Sequence, residues 1–444
     1  MIKNFFTLNT KNTPPMFMAA VFLAALFSAS AWAGPNIQHW QTSNGAHVYF
    51  VENHDLPMLD VRVIFNAGSA RDDGQYGISS LMNAQLPEGA GGKSAAQLSA
   101  AIENVGGQFS NSSGRDMASV AFRSLANKKS LQPVIDTVAL MLTKPDFSNK
   151  AIERDRKAML SGLKSRAQSV GSQASDAMYK AFYPGHPYAI GPHGTAKTIK
   201  AITRNHLIEF YKKYYVAKNA VIAIVGDASR KKAEDIATKL TQGLAMGHAA
   251  KTLPAPKEIT SSKTIRLKFP SAQTHVFIGH PAVKRGMANW HAMYTGNHVL
   301  GGGGFTSILM DEIREKRGLS YSVYSYFSPM LAKGPFILGL QTANKNADQA
   351  IQLAHENLQR YTSNGPDKKS LDLSIKNITG SFPLKIDSNK KIAEYIAAIG
   401  FYNLPLNYLD TFSDLVSRLD KKTVRAAFQE NVHPDKIITI IVGG

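Results

Sequence analysis

HLIEFYKKYYVAKNAVIAIVGD, residues 206–227, reads as an amphipathic helix, a polar break at Asn219 and a β-branched strand closing on Val225-Gly226. The chain ends on the same sequence of elements. TVRAAFQENVHPDKIITIIVGG, residues 423–444, is again a helix, a break around Asp435 and an apolar strand closing on Val442-Gly443. The two Val-Gly pairs lie 217 residues apart, about half of the 444-residue chain. An internal period of that length predicts two domains of like fold, each finished by a buried strand.

Further pieces of the repeat lie upstream. LSAAIENVGGQFS (98–110) and LMDEIREKRGLSYS (309–322) both read as a helix, a glycine stop and a strand. VYFVEN, LDVRVIFNAG and ASVAFRSL supply strands to the first half, and KTIRLKFP, THVFIGHP and PFILGLQT supply them to the second. Helical stretches follow each set, over 127–182 and 346–431. Strands paired by hairpins with helices gathered apart predict an α+β fold. It consists of two homologous α/β-sandwich repeats, each an antiparallel-rich sheet with helices packed on it. The predicted boundaries are 34–243 and 263–444, joined by a linker over 244–262 that is rich in Gly, Pro, Ser and Lys.

Residues 1–33 read as an export leader. Lys3 and Lys11 precede the apolar run MFMAAVFLAALFSASA, and Ala31 and Ala33 fit a small-x-small cleavage pattern, with a cut after Ala33. An uncleaved anchor is the alternative; after cleavage no stable membrane span is expected. The chain contains no cysteine, so disulfides, thiolate ligands, thiol nucleophiles and a lipidated cysteine are excluded. A leader with no cysteine points to the periplasm. The formal net charge is +19, and losing residues 1–33, with two lysines and no acid, leaves +17. The basic residues are scattered and not interleaved with aromatics, so nucleic acid is not an expected partner. They fit solvated helix faces, or an acidic partner surface.

FNAGSARDDGQYGISSLMNAQL (65–86), the block over 186–227, and NHVLGGGGFTSILMDEIREKRGLSYSVYS (297–325) occur in that order. With the leader and the repeat, they resemble the pitrilysin/insulinase family of zinc peptidases, in its bacterial branch related to the mitochondrial processing peptidase, over roughly 37–444. In active members the helix after Tyr-Gly carries H-x-x-E-H, whose histidines bind zinc and whose glutamate activates the metal-bound water. The resemblance places Ser80, Asn83 and Ala84 at those three positions. The distal glutamate position falls near Ser161, 77 residues after Ala84. Neutral Ser and Ala supply no zinc ligand, and Asn83 cannot take a proton from water. No metal or other cofactor is therefore expected in this chain. His186 and His193, seven apart in a Pro/Gly loop, are a weak substitute pair, and Glu88 is a lone carboxylate. His291 and His298 fit surface or packing roles.

In two-subunit members, the resemblance implies, the zinc-less chain contributes Arg and Tyr in an R-x-x-x-x-x-x-Y pattern. Arg314 and Tyr321 have that spacing, with Gly318 turning the chain between them. A guanidinium and a phenol can donate hydrogen bonds to the oxyanion that develops in peptide hydrolysis. Arg317 competes for the role, Glu315 reads as solvated, and Asp311 and Glu312 can pair with nearby basic groups. Gly301, Gly302, Gly303, Gly304 and Phe305 resemble the flexible glycine-rich loop that helps guide substrate. No phosphate-loop Lys-Ser/Thr follows them. The resemblance thus implies a non-catalytic subunit of a periplasmic heterodimeric zinc metallopeptidase. It would position extended peptides or small unfolded proteins for a homologous partner that carries the zinc. The alternatives are a non-enzymatic peptide-binding or scaffold protein, and an active protease with unrecognised ligands.

Overall fold

The computed structural model describes residues 34–444, so the leader and its cleavage site lie outside the described residues. The first half contributes strands β1 (Gln38–Gln41), β2 (His47–Glu52), β3 (Met58–Phe65), the short ribbon β4 (Gly89–Ala90) and β5 (Lys93–Ser94), β6 (Gln108–Ser113), β7 (Ala118–Leu125) and β8 (Ala220–Gly226). Its helices are α1 (Ile78–Gln85), α2 (Ala95–Glu103), α3 (Lys128–Thr143), α4 (Asn149–Ala167), α5 (Val170–Phe182), α6 (Ala196–Ala201), α7 (Arg204–Tyr214) and α8 (Arg230–Thr241). The second half adds β9 (Lys263–Leu267), β10 (Gln273–Val283), β11 (Ser322–Phe327), β12 (Gly334–Ala343) and β13 (Ile438–Val442). Its α-helices are α9 (Trp290–Asn297), α10 (Ala347–Asn364), α11 (Lys368–Ser381), α12 (Asn389–Phe401), α13 (Tyr408–Ser417) and α14 (Lys421–Asn431).

The repeat read from the sequence is a repeat of topology. The first sheet runs β1-β2-β8-β3-β7-β6 and the second β9-β13-β10-β12-β11, so β6 and β11 are equivalent edges. In each, the closing strand lies inside the sheet, parallel to the half's early strand (β8 on β2, β13 on β9), and all other pairs are antiparallel. β8 and β13 are buried along their whole length, which is why both read as unbroken apolar runs.

One face of each sheet packs on helices of its own half. Val48, Phe50, Val61, Val63, Ile222 and Ile224 share a core with Leu81, Leu98, Val138 and Leu207. The opposite faces are covered by exchange. Tyr49, Val51, Ile64, Val221 and Val225 of the first sheet pack on Ile392, Ile396, Ala397 and Phe412 of the second half. Reciprocally, Ala174, Met178 and Phe182 of α5 cover Ile337, Ile438 and Ile440 of the second sheet.

Residues 245–260 carry no regular secondary structure. They are tied down to the first half: Ala217 N–H bonds Ala245 O at 2.9 Å, Ala250 N–H bonds Asn219 Oδ1 at 2.9 Å, and Arg71 Nη1 bonds Lys251 O at 2.7 Å.

Candidate functional site

Helix α1, which carries Ser80, Asn83 and Ala84, begins at Gly77, whose φ of 97° needs glycine. The buried Asp72 carboxylate caps it, accepting from Gly77 N–H at 2.7 Å and Ser79 N–H at 3.1 Å. Ser80, Asn83 and Ala84 face a cleft of about 350 Å³, opposite Asn111 and Ser112 of the edge strand β6 and closed on one side by Glu88 and Asp155. Asn83 is 2% exposed and works as a bracket. Its amide donates to the Tyr215 hydroxyl at 3.2 Å, and Asn111 Nδ2 donates to Asn83 O at 2.7 Å and Oδ1 at 3.0 Å.

Ser161 is exposed and does not line this cleft. The carboxylate that reaches it from α4 is Asp155, six residues earlier. Counting along the chain misses this because the approach of α4 to α1 decides which residue faces the cleft. Asp155 is engaged: Gln85 Nε2 donates to it at 2.6 Å, and Arg154 bridges it at 2.7 Å and Glu88 at 2.6 Å. One guanidinium thus bridges both carboxylates at the cleft and offsets one of their two charges. A hydroxyl, an amide, a methyl and two arginine-bound carboxylates do not fit zinc, which wants imidazole, thiolate or free carboxylate donors in a tetrahedron. Among the described residues no three His, Cys, Asp or Glu side chains converge as a metal site.

The histidines are otherwise occupied. His186 Nδ1 accepts from Tyr188 N–H at 3.1 Å, so its Nε2 carries the proton and donates to Pro254 O at 3.0 Å. His193 lies 3.4 Å from Asp176, which also binds Arg166. His291 packs between Tyr408 and Phe412, and His298 bonds Ser374 at 2.9 Å.

The second half brings three of the singled-out residues together. Arg314 holds its guanidinium 5.0 Å from the Phe305 ring centre and 6.0 Å from that of Tyr321. Phe305 is 69% exposed and Tyr321 77%, high for large rings, with Arg314 lying between them. The neighbouring charges are paired with one another. Arg317 donates to Glu312 O and Oε2 at 2.7 and 2.8 Å, and Lys316 binds Asp311 and Glu312 at 2.7 and 2.8 Å. Arg314 has only a loose 3.7 Å approach to Glu315. Of the two arginines, Arg317 is thus bound by Glu312, and Arg314 is the one without a close carboxylate.

The glycine run is in part a packing device. Gly301 and Gly302 belong to a wide π-helical turn, His298–Gly302, that continues α9. A Cβ on Gly301 would lie 2.5 Å from Ser325 Oγ, and one on Gly302 would lie 2.7 Å from Asn297 Nδ2. Asn297 and Ser325 exchange hydrogen bonds at 2.9 and 2.7 Å, locking the turn onto β11. Gly304, Phe305 and Thr306 are the exposed crest. A second π-helical turn, Met310–Glu315, carries Arg314. Such turns recur at functional sites and are invisible to helical periodicity.

The profile of the domain described as "Insulinase (Peptidase family M16)" matches residues 48–195, and that of "Peptidase M16 inactive domain" matches 201–378. A solved structure of a peptidase M16 inactive domain from Pseudomonas fluorescens is 39% identical, with a TM-score of 0.89, covering 92% of this chain and 98% of that one. The chain belongs to the M16 family. Among curated M16 relatives, the uncharacterized zinc protease YmxG of Bacillus subtilis is 23% identical, over 86% of this chain and 92% of its own length. The non-peptidase homolog YmxG of Helicobacter pylori is 25% identical, over 85% and 87%. This M16 chain has the peptidase fold in both halves, and its α1 lacks the donors that M16 zinc chemistry uses.

Proposed function

We propose that this chain is the zinc-less, substrate-positioning subunit of a two-chain M16 peptidase acting in the periplasm. Its partner is a homologous chain with intact H-x-x-E-H, which holds the zinc and the water-activating glutamate. The observation that carries this reading is the contrast between the two halves. At the cleft on α1, Asn83 is tied up in neutral hydrogen bonds and Glu88 and Asp155 are held by Arg154, whereas Phe305 and Tyr321 stand exposed on either side of a half-buried Arg314 that has no close carboxylate. Arg314 and Tyr321 would donate to the scissile carbonyl of an extended peptide held against the partner's zinc, and Phe305 would stack beside Arg314. No helix among the described residues is long and apolar enough to cross a membrane.

The test is turnover of a quenched fluorescent peptide by this chain, by the zinc-motif chain of the adjacent gene, and by their mixture, with zinc measured in each. Turnover is expected in the mixture alone, with zinc in the partner only. Arg314→Ala in the mixture should lower kcat/KM by about 10²–10³-fold, the worth of one preorganised oxyanion donor. A stable complex without turnover would instead support the scaffold reading. Zinc and turnover in this chain alone would overturn the proposal.

A further inference from the structure

A second cavity, of about 410 Å³, lies away from α1 and from Arg314. The strap 252–259 forms one wall, and the end of β10, the β11–β12 turn and the α14–β13 turn form the others. Pro254, Pro256, Ile259 and Leu331 give it apolar surface. Four lysines line it: Lys257, Lys284, Lys333 and Lys436. None of them has a carboxylate within 4 Å among the described residues, where the paired lysines are Lys231, Lys239, Lys316, Lys368 and Lys391. His433 adds a fifth basic group, against the two acids Glu258 and Glu430, and Glu430 is engaged with Asn289 at 3.1 Å.

The strap is held in place before any ligand arrives. His186 Nε2 donates to Pro254 O at 3.0 Å, Arg71 Nη1 donates to Lys251 O at 2.7 Å, and Leu253 and Ile259 pack into the core under the second sheet. His433 N–H donates to His280 Nε2 at 3.1 Å, fixing the opposite wall. Like charges gathered around a concave, low-dielectric wall repel each other and focus a positive potential. Glu258 and Glu430 offset part of that charge, and a bound anion relieves the rest. The size falls within the range of small-ligand sites, and a preformed wall spares the cost of ordering.

From this convergence we infer that the cavity under the 252–259 strap binds a small organic polyanion, with an apolar body and two or more carboxylate or phosphate groups. The inference is independent of the peptidase reading, since it involves neither Arg314 nor α1.

Calorimetric titration of the full chain with benzene-1,3,5-tricarboxylate tests it. One saturable site is expected at roughly 100 µM or tighter, weakening as NaCl rises from about 50 to 300 mM. Lys333→Glu and Lys436→Glu should each weaken binding at least about 10-fold. Both lysines are exposed, so folding should survive, checked by unchanged thermal melting. Lys345→Glu, on an exposed turn outside the cavity, should leave binding unchanged. Absence of saturable binding, or equal weakening by all three variants, would overturn the proposal. So would binding confined to an acetylated tri-glutamate amide, because the occupant would then be a peptide chain.

Discussion

Asp72 shows what one residue does to hold the start of a helix. Its carboxylate is buried beneath the start of α1, and burial pushes its pKa up to about 7 from an ordinary 3.8, against the pull of the Gly77 and Ser79 amides. An acid whose pKa is raised on folding binds more protons folded than unfolded. Its contribution to stability is therefore greatest below about pH 4 and is lost as pH rises toward 7. Asp72→Asn should remove that dependence. In denaturant titrations, the difference in stability between the natural chain and the variant should fall by up to about 1.4 kcal/mol per pH unit across this window. A parallel pair of curves would disprove the assignment. At this scale the sequence was partly legible. Ser80, Asn83 and Ala84 could be named as ligand-less from side-chain chemistry alone. Asp155 and Arg154 could not, since ERDRK on an exposed helix looks like any charged run until packing selects the residues that face the cleft. Arg314 and Arg317 likewise differ only in three dimensions, where Glu312 takes Arg317.

At the scale of elements, the strands and their order of appearance were readable. The solid apolar runs of β8 and β13 reflect strands covered on both faces. The destination of the helices was not readable. An apolar stripe on α12 says that something is buried, not that it lies on the other half's sheet. That contact sets a tight tolerance. A Cβ on Gly400 of α12 would lie 2.4 Å from the Tyr49 ring and 2.7 Å from Val221, whereas one on Gly380 of α11 would meet nothing within 4 Å. Gly400→Ala should cost about 1–3 kcal/mol through overpacking. Gly380→Ala should be neutral or stabilise by up to about 1 kcal/mol through reduced freedom of the unfolded chain. Thermal melting of the two single variants checks both, and equal effects would show that α12 does not seat as described. The two halves also share a device at their equivalent edges. An asparagine on the helix or at its end (Asn83, Asn297) is bonded to the fourth residue of the edge strand (Asn111, Ser325). Each half thus uses an asparagine to fasten a helix to its edge strand.

For the whole molecule, two faces of apolar side chains depend on the other half for cover, so the halves should behave as one cooperative unit. Residues 34–243 produced alone would expose Tyr49, Val51, Ile64, Val221 and Val225 together, a patch large enough to aggregate. Cleavage by a protease within residues 245–260 of the intact protein has a different expected result. The fragments should co-elute in size-exclusion chromatography under native conditions and separate only in denaturant, because the exchanged α5 and α12 remain seated. Fragments that drift apart in buffer would refute the exchange as the main bond between the halves. The hydrogen bonds that tie residues 245–260 to the first half were not legible in the sequence.

The exchange also orders events in time. During synthesis the first sheet is finished once β8 emerges, yet the helix that roofs its second face comes about 160 residues later. For that interval the nascent chain carries a sticky, unroofed sheet. Its maturation therefore leans on a holding factor, or on delay of folding until the C-terminus is released, to a degree that two self-contained domains in tandem would not require.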